Sequence, residues 1–170
     1  LLLTGLRTGE LRSSLWSEID SEKALWEISA ERMKMRRPHI IPLSTQALAI
    51  IEKIRAMTGQ FPLLFPGRND PSKTMSEASI NQVFKRIGYT GRVTGHGFRH
   101  TMSTVLHEQG YNTAWIETQL AHVDKNAIRG TYNHAQYLDG RREMLQWYSD
   151  YMESLENNGN VVRGAFNRRA

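Results

Sequence analysis

The sequence predicts an α+β domain, mainly helical, with a small antiparallel sheet near the N-terminus. Apolar residues recur at helical spacing after Ser44, after Ser76, after Gly95 and after Asn112, and again over residues 135–155. Short apolar or alternating runs are confined to residues 16–43, where WSEID, ALWEIS and HIIPL read as strands. The chain of 170 residues is long enough for one domain with a real core.

Taken in order, residues 1–3 read as the end of a helix broken at Gly5, and RTGELRSSL starts another with Leu6, Leu11 and Leu15 on its buried side. Strands are expected at 16–20, 24–29 and 39–43. The basic connection before the last one, ERMKMRRP, would place Arg32, Lys34 and Arg36 on one face if extended. Ser44 is a credible cap for a helix to about residue 57, carrying Leu48, Ile51 and Ile54 and ended by Gly59. A Pro/Gly-rich loop covers 61–74, and Ser76 would then cap a helix with Ile80, Val83, Phe84 and Ile87 at core spacing. The next helix buries Phe98, Met102, Val105 and Leu106 and stops at Gly110. A short one capped by Asn112, with Trp115, Ile116 and Leu120 inward, delivers His122 to its end. The long helix over 135–155 carries Leu138, Met144, Leu145, Tyr148 and Met152, and the arginine-bearing tail 157–170 reads as disordered.

The balance of 22 Lys+Arg against 17 Asp+Glu gives a net charge of +5, which favours a polyanionic partner. With no cysteine, disulfides and cysteine-rich zinc sites are excluded, and an intracellular setting is the default. The leucines at 1–3 are too few for a membrane span or a signal core. The chain opens in mid-pattern without an initiator methionine, which reads as the carboxyl-terminal piece of a longer protein.

The chemistry-bearing residues concentrate in HGFRH at 96–100, LAH at 120–122 and GTYNH at 130–134. Arg99 follows His96 by three positions, so on a helix the two share a face and can converge on one small anion. A guanidinium fork suits two phosphate oxygens. In TGLRTGEL, Arg7 stands at a helix start and Glu10 is placed to hold its guanidinium. Lys34 lies in the basic connection with Arg32, Arg36 and Arg37, while Lys73, Lys85 and Arg86 are candidates for further phosphate contacts. His96 and His100 form a His-x-x-x-His pair, but a helical zinc pair of the protease kind needs a third ligand and a Glu where Gly97 stands. No metal is expected, and His100 is read as a supporting residue.

Arg7, Lys34, His96, Arg99, His122 and Tyr132, in that order, resemble the tyrosine recombinase, or phage integrase, family. The resemblance implies that family's catalytic-domain fold over residues 1–156, without the amino-terminal core-binding and arm-binding domains. It implies a site-specific recombinase that breaks and rejoins double-stranded DNA with no cofactor. Arg7 and Arg99 would clamp the non-bridging oxygens, His122 would add a hydrogen bond, and Tyr132 would attack phosphorus with His96 nearby to take its proton. Lys34 would protonate the leaving 5′-oxygen. The expected partners are DNA and further recombinase subunits in a tetrameric synapse, with no membrane; the expected location is the cytoplasm, associated with the nucleoid.

Two features depart from the family pattern. The interval from His122 to Tyr132 is one residue longer than usual, and LAH replaces Leu-Gly-His. Tyr137 is therefore a rival nucleophile, although the Thr131-Tyr132 context favours Tyr132. A type IB topoisomerase-like relaxation activity and a non-catalytic basic DNA-binding module remain alternatives. The segment after Tyr132 has two readings as well: it docks on a neighbouring subunit, or it packs on its own domain.

Overall fold

The structure, a computed structural model, describes residues 1–122 and 137–156. Tyr132 and the tail 157–170 lie outside the described residues. The chain enters through a single turn in which Gly5 N donates to Leu1 O, and a short helix α1 (Thr8–Arg12) follows. Leu6 is fully buried, while Leu11 and Leu15 are half-buried.

A three-stranded antiparallel sheet comes next, in the order β1 (Ile19–Asp20), β2 (Leu25–Ile28), β3 (His39–Pro42). Trp26 pairs with Ile19 on one side and Ile41 on the other, and both Trp26 and Ile41 belong to the core. The strand expected over 16–20 is shorter than its pattern suggested. Residues Trp16–Glu18 form a 3-10 turn in which Glu18 Oε2 accepts from the Leu15 backbone N–H, and Trp16 N donates to Pro62 O rather than to a neighbouring strand. A residue committed to a loop carbonyl has no donor left for a ladder.

Helix α2 (Thr45–Thr58) starts where Ser44 Oγ accepts from Ala47 N at 3.2 Å, as expected of its cap. Helix α3 (Ala78–Arg86) departs from expectation twice. Its cap position is Glu77 rather than Ser76, whose hydroxyl meets the Ser79 hydroxyl instead. Its apolar stripe is also not core: only Phe84 is buried, edge-on to Phe98, while Val83 and Ile87 are 52% and 59% exposed.

Helices α4 (Gly95–Glu108), α5 (Thr113–Gln119) and α6 (Leu138–Glu156) complete the fold. Thr94 Oγ1 caps α4 through Gly97 N at 2.9 Å, and Asn112 Oδ1 caps α5 through Ala114 N at 2.8 Å. Met102, Leu106, Ile116, Leu120, Met144, Leu145 and Tyr148 meet in one core with Trp26 and Ile41. Helix α6 thus packs on its own domain, against α2, α4, α5 and β3. Its approach to α5 requires a glycine: a Cβ at Gly140 would come within 2.5 Å of Trp115 Cη2. Among the described residues no helix is long and apolar enough to cross a membrane.

Candidate active site

The site is assembled where the entering turn meets the ends of α4 and α5. Gly5 adopts φ 65°, and a Cβ there would meet Met102 Sδ at 2.9 Å and Leu120 Cδ2 at 3.0 Å. Only a residue without a side chain permits both the left-handed turn and that approach. Its carbonyl accepts from Arg99 Nη1.

Arg7 precedes α1, and Glu10 holds it twice. Oε1 of Glu10 accepts from Arg7 Nη1 at 2.8 Å, and Oε2 accepts from the Arg7 backbone N–H at 2.9 Å. Glu10 is buried, so the guanidinium has a fixed counter-ion beneath it. The start of α4 lies against the same helix: a Cβ on Gly95 would collide with Thr8 Cγ2, so the residue before His96 packs against the residue after Arg7.

Three successive carbonyls at the end of α5 each accept from a distant side chain. Gln119 O takes His39 Nε2 at 3.1 Å, Leu120 O takes Arg99 Nη2 at 2.5 Å, and Ala121 O takes Arg7 Nη2 at 3.2 Å. A carbonyl only accepts, so the His39 hydrogen on this bond sits on Nε2. Helix ends leave such oxygens unpaired, and their partial negative charge suits cations. Arg99 is 5% exposed. Burial, and then the neighbouring Arg7, lower its pKa to about 10, with Glu10 opposing, so it stays charged at neutral pH. Each guanidinium has five N–H donors and spends two on these contacts, which leaves donors for an oxyanion.

Ala121, at φ 47°, turns the chain out of α5 and exposes His122. His122 Nδ1 lies 2.7 Å from Glu117 Oε2. A carboxylate accepts, so Nδ1 carries hydrogen in this contact, and Nε2 can donate to a phosphate oxygen only in the ring form that carries hydrogen on both nitrogens. His96 and His100 are exposed one turn apart, with their Nε2 atoms 3.1 Å from each other. One ring must offer a lone pair to the other, so this contact holds a single hydrogen between two imidazoles.

Lys34 is exposed in the turn between β2 and β3. Arg32 does not share its face. Residues Ala30–Arg32 form a 3-10 turn rather than extended chain, and the Arg32 guanidinium points inward. It pairs with Glu18 at 2.5 Å and donates to Ser13 Oγ at 2.7 Å, so it fastens the connection to α1 instead of offering itself to DNA. Arg36, at φ 53°, and Arg37 are exposed. Lys73 is exposed but pairs with Asp70 at 3.2 Å, and Lys85 and Arg86 stand exposed on the last turn of α3. Tyr137 is half-buried, and its carbonyl accepts from Arg141 N at 2.8 Å.

The residues that sequence reasoning missed are His39, Glu117, Gln119 and Arg141. Arg141, on α6, is 1% exposed; it donates through Nη2 to Gln119 Oε1 at 2.6 Å and to Ile40 O at 2.6 Å. Gln119 Nε2 donates to Thr4 O at 2.7 Å. No periodicity marks these polar positions, because an arginine on an amphipathic helix ordinarily reads as surface.

Residues 1–138 match the phage integrase family. The prophage integrase IntS of Escherichia coli is 44% identical over 154 residues, covering 90% of this chain and 40% of the relative. The integrase of Shigella phage Sf6 is also 44% identical over 154 residues, with the same coverage, and the Escherichia coli prophage integrase IntZ is 48% identical over 164 residues. The chain therefore spans about 40% of the length of these relatives. Among solved structures, the XerA recombinase covers 94% of this chain with a TM-score of 0.62 and 16% identity, 55% of its own chain being matched. A mycobacterium phage Brujita integrase covers 85% with a TM-score of 0.61 and 19% identity, 47% of its chain being matched. The Tn1549 transposon integrase, solved in complex with circular intermediate DNA, covers 85% with a TM-score of 0.56 and 22% identity, 54% of its chain being matched. These likenesses establish the fold.

Proposed function

Because the chain belongs to the phage integrase family, we propose that residues 1–156 are the catalytic domain of a tyrosine site-specific recombinase acting on double-stranded DNA. The observation that carries this reading is the pair of guanidiniums, Arg7 and Arg99, fixed on adjacent carbonyls with Glu10 behind the first. Two pre-oriented cations at one point are suited to a phosphodiester, whose attack builds charge on the non-bridging oxygens. Relatives described as integrases, and the Tn1549 integrase bound to DNA, support the same substrate and favour recombination over topoisomerase-like relaxation or a non-catalytic binding module. Further subunits in a tetrameric synapse and a place on the nucleoid in the cytoplasm belong to this reading.

In the reaction, the Tyr132 oxygen attacks phosphorus and its proton passes to His96, with His100 as a second acceptor in contact with it. The bond from phosphorus to the 5′-oxygen breaks, and Lys34 protonates that oxygen as it leaves. The products are a 3′-phosphotyrosyl strand and a free 5′-hydroxyl. His122, its Nδ1 held by Glu117, hydrogen-bonds a non-bridging oxygen through Nε2. Arg36, Arg37, Lys73, Lys85 and Arg86 contribute phosphate contacts outside the scissile position.

The test is a duplex of the attachment site with a nick placed to trap the covalent complex. An adduct that survives detergent, maps to Tyr132 and disappears in Tyr132→Phe is the expected result. Absence of any tyrosyl adduct overturns the reading, and relaxation of plasmids without exchanged products favours the topoisomerase.

A further inference from the structure

Arg99 bridges two carbonyls that come from opposite ends of the chain, Gly5 O and Leu120 O. The residues just before them, Thr4 and Gln119, are bonded to each other: Gln119 Nε2 donates to Thr4 O at 2.7 Å. That hydrogen bond ties the two segments together one residue before each anchor of Arg99. Gln119 is 1% exposed, and its amide can point only one way. Its oxygen is taken by Arg141, from Nη2 at 2.6 Å and Nε at 3.2 Å, which commits its nitrogen to Thr4. Arg141 in turn reaches β3 through Ile40 O, and His39 donates to the Gln119 carbonyl.

We propose that Gln119, locked by Arg141, is a positioning residue for Arg99: the buried amide fixes the spacing between Gly5 O and Leu120 O and so aims the phosphate-binding edge of the guanidinium. The inference rests on the recombinase reading above. Arg141 is an expensive way to fill a core. Among the described residues no carboxylate pairs with it, and burial alone lowers its pKa to about 10. An apolar side chain of similar volume would pack there without losing hydration. What such a side chain lacks is a planar fork able to hold an amide oxygen and a strand carbonyl together. Arg141 also follows Tyr132 by nine residues in the sequence.

The experiment measures single-turnover strand cleavage on the attachment-site duplex and on the same duplex with a methylphosphonate at the scissile position, each diastereomer separately. A methylphosphonate replaces one charged non-bridging oxygen with a methyl group, so the diastereomer lacking the oxygen that faces Arg99 has less need of a well-aimed Arg99. Gln119→Met and Arg141→Met are expected to lose about 10²-fold on the phosphodiester, the scale of loss when a supporting contact lets a catalytic group shift. On that one diastereomer they should come within a few-fold of the unsubstituted chain, with DNA affinity unchanged throughout. Arg141→Lys, which keeps the charge but not the fork, should fall between. Should the methionine variants fail to fold by circular dichroism, Gln119→Glu replaces them; it keeps an acceptor for Arg141, sets a carboxylate oxygen against Thr4 O where the amide donated, and carries the same expectation. Equal losses on phosphodiester and both methylphosphonates, or no loss on the phosphodiester, overturn the inference. If the unsubstituted chain forms no Tyr132 adduct on the phosphodiester, the recombinase reading itself falls and takes this inference with it.

Discussion

Arg7 and Arg99 donate to neighbouring carbonyls, Ala121 O at 3.2 Å and Leu120 O at 2.5 Å, so two cations share the end of one short helix. Each makes the other more costly, and Arg7 contributes to lowering the Arg99 pKa. Glu10 opposes that effect from beneath Arg7. Two guanidiniums against one carboxylate leave the cluster with surplus positive charge. A site charged in advance of its substrate spends little on reorganisation when an anion arrives.

Glu10→Gln should expose this balance. The amide keeps the shape of the carboxylate but cannot neutralise Arg7, and the exchange leaves Arg7 facing Arg99 without its counter-ion. Stability should fall by up to ~3 kcal/mol, since one charge of a mostly buried pair is left uncompensated. Urea unfolding followed by tryptophan fluorescence measures it, with the midpoint moving down and the slope unchanged. An unchanged midpoint would mean that the Arg7–Glu10 pair is energetically idle.

Gly95→Ala tests the contact that brings α4 against α1. The added methyl would collide with Thr8 Cγ2, while the glycine itself sits at the first position of a helix where alanine is otherwise welcome. Overpacking at such a point costs ~1–3 kcal/mol. The shift falls between Arg7 and His96, so adduct formation should drop even at temperatures where the variant is fully folded. A variant as stable and as active as the parent would show that the two helices separate freely.

The helices were legible in the sequence because their apolar periodicity and their caps agree; Ser44 and Asn112 each do what their position suggests. Helix α3 shows why periodicity alone is insufficient. Ile80, Val83, Phe84 and Ile87 have core spacing, yet nothing in a spacing says whether another element arrives to cover it. Arg32 was misread for a related reason: alternation implies a shared face only in extended chain, and a 3-10 turn at Ala30–Arg32 sends its guanidinium to Glu18 and Ser13. Of the candidate site, Arg7, Glu10, His96, Arg99 and His122 stand out in the sequence as a pattern of residue types. The buried polar network beside them does not: Gln119, Arg141 and His39 meet through tertiary contacts between α5, α6 and β3, and no local spacing encodes those.

Truncation before α6 should abolish folding rather than only loosen assembly. Met144, Leu145 and Tyr148 are buried among the residues of the main core, and Arg141 holds Gln119. Their removal strips one wall from a shared interior, a loss of several ~2–5 kcal/mol contributions against a total stability of ~5–15 kcal/mol. A chain ending at residue 136 is expected to show no cooperative thermal transition. A sharp transition would show that α6 is dispensable to the domain and available to a neighbouring subunit.

The assignment of the general acid can be tested through the leaving group. Lys34 stands exposed on the turn between β2 and β3, where an ammonium can reach a substrate without first being dehydrated. If it protonates the departing 5′-oxygen, Lys34→Ala should cleave ordinary DNA slowly, by ~10²–10⁴-fold, because an alkoxide leaves poorly without a proton. Sulfur in place of the 5′-bridging oxygen leaves as a thiolate and needs none. Lys34→Ala should then recover on the sulfur substrate, whereas Tyr132→Phe should stay inactive on both for want of the attacking oxygen. Arg7→Ala and Arg99→Ala should gain little, since charge on the non-bridging oxygens remains uncompensated. The yield of covalent protein–DNA adduct for each variant on each substrate is the measurement. If sulfur does not restore Lys34→Ala, the acid is His96 or His122 instead; an adduct with Tyr132→Phe would move the nucleophile to Tyr137.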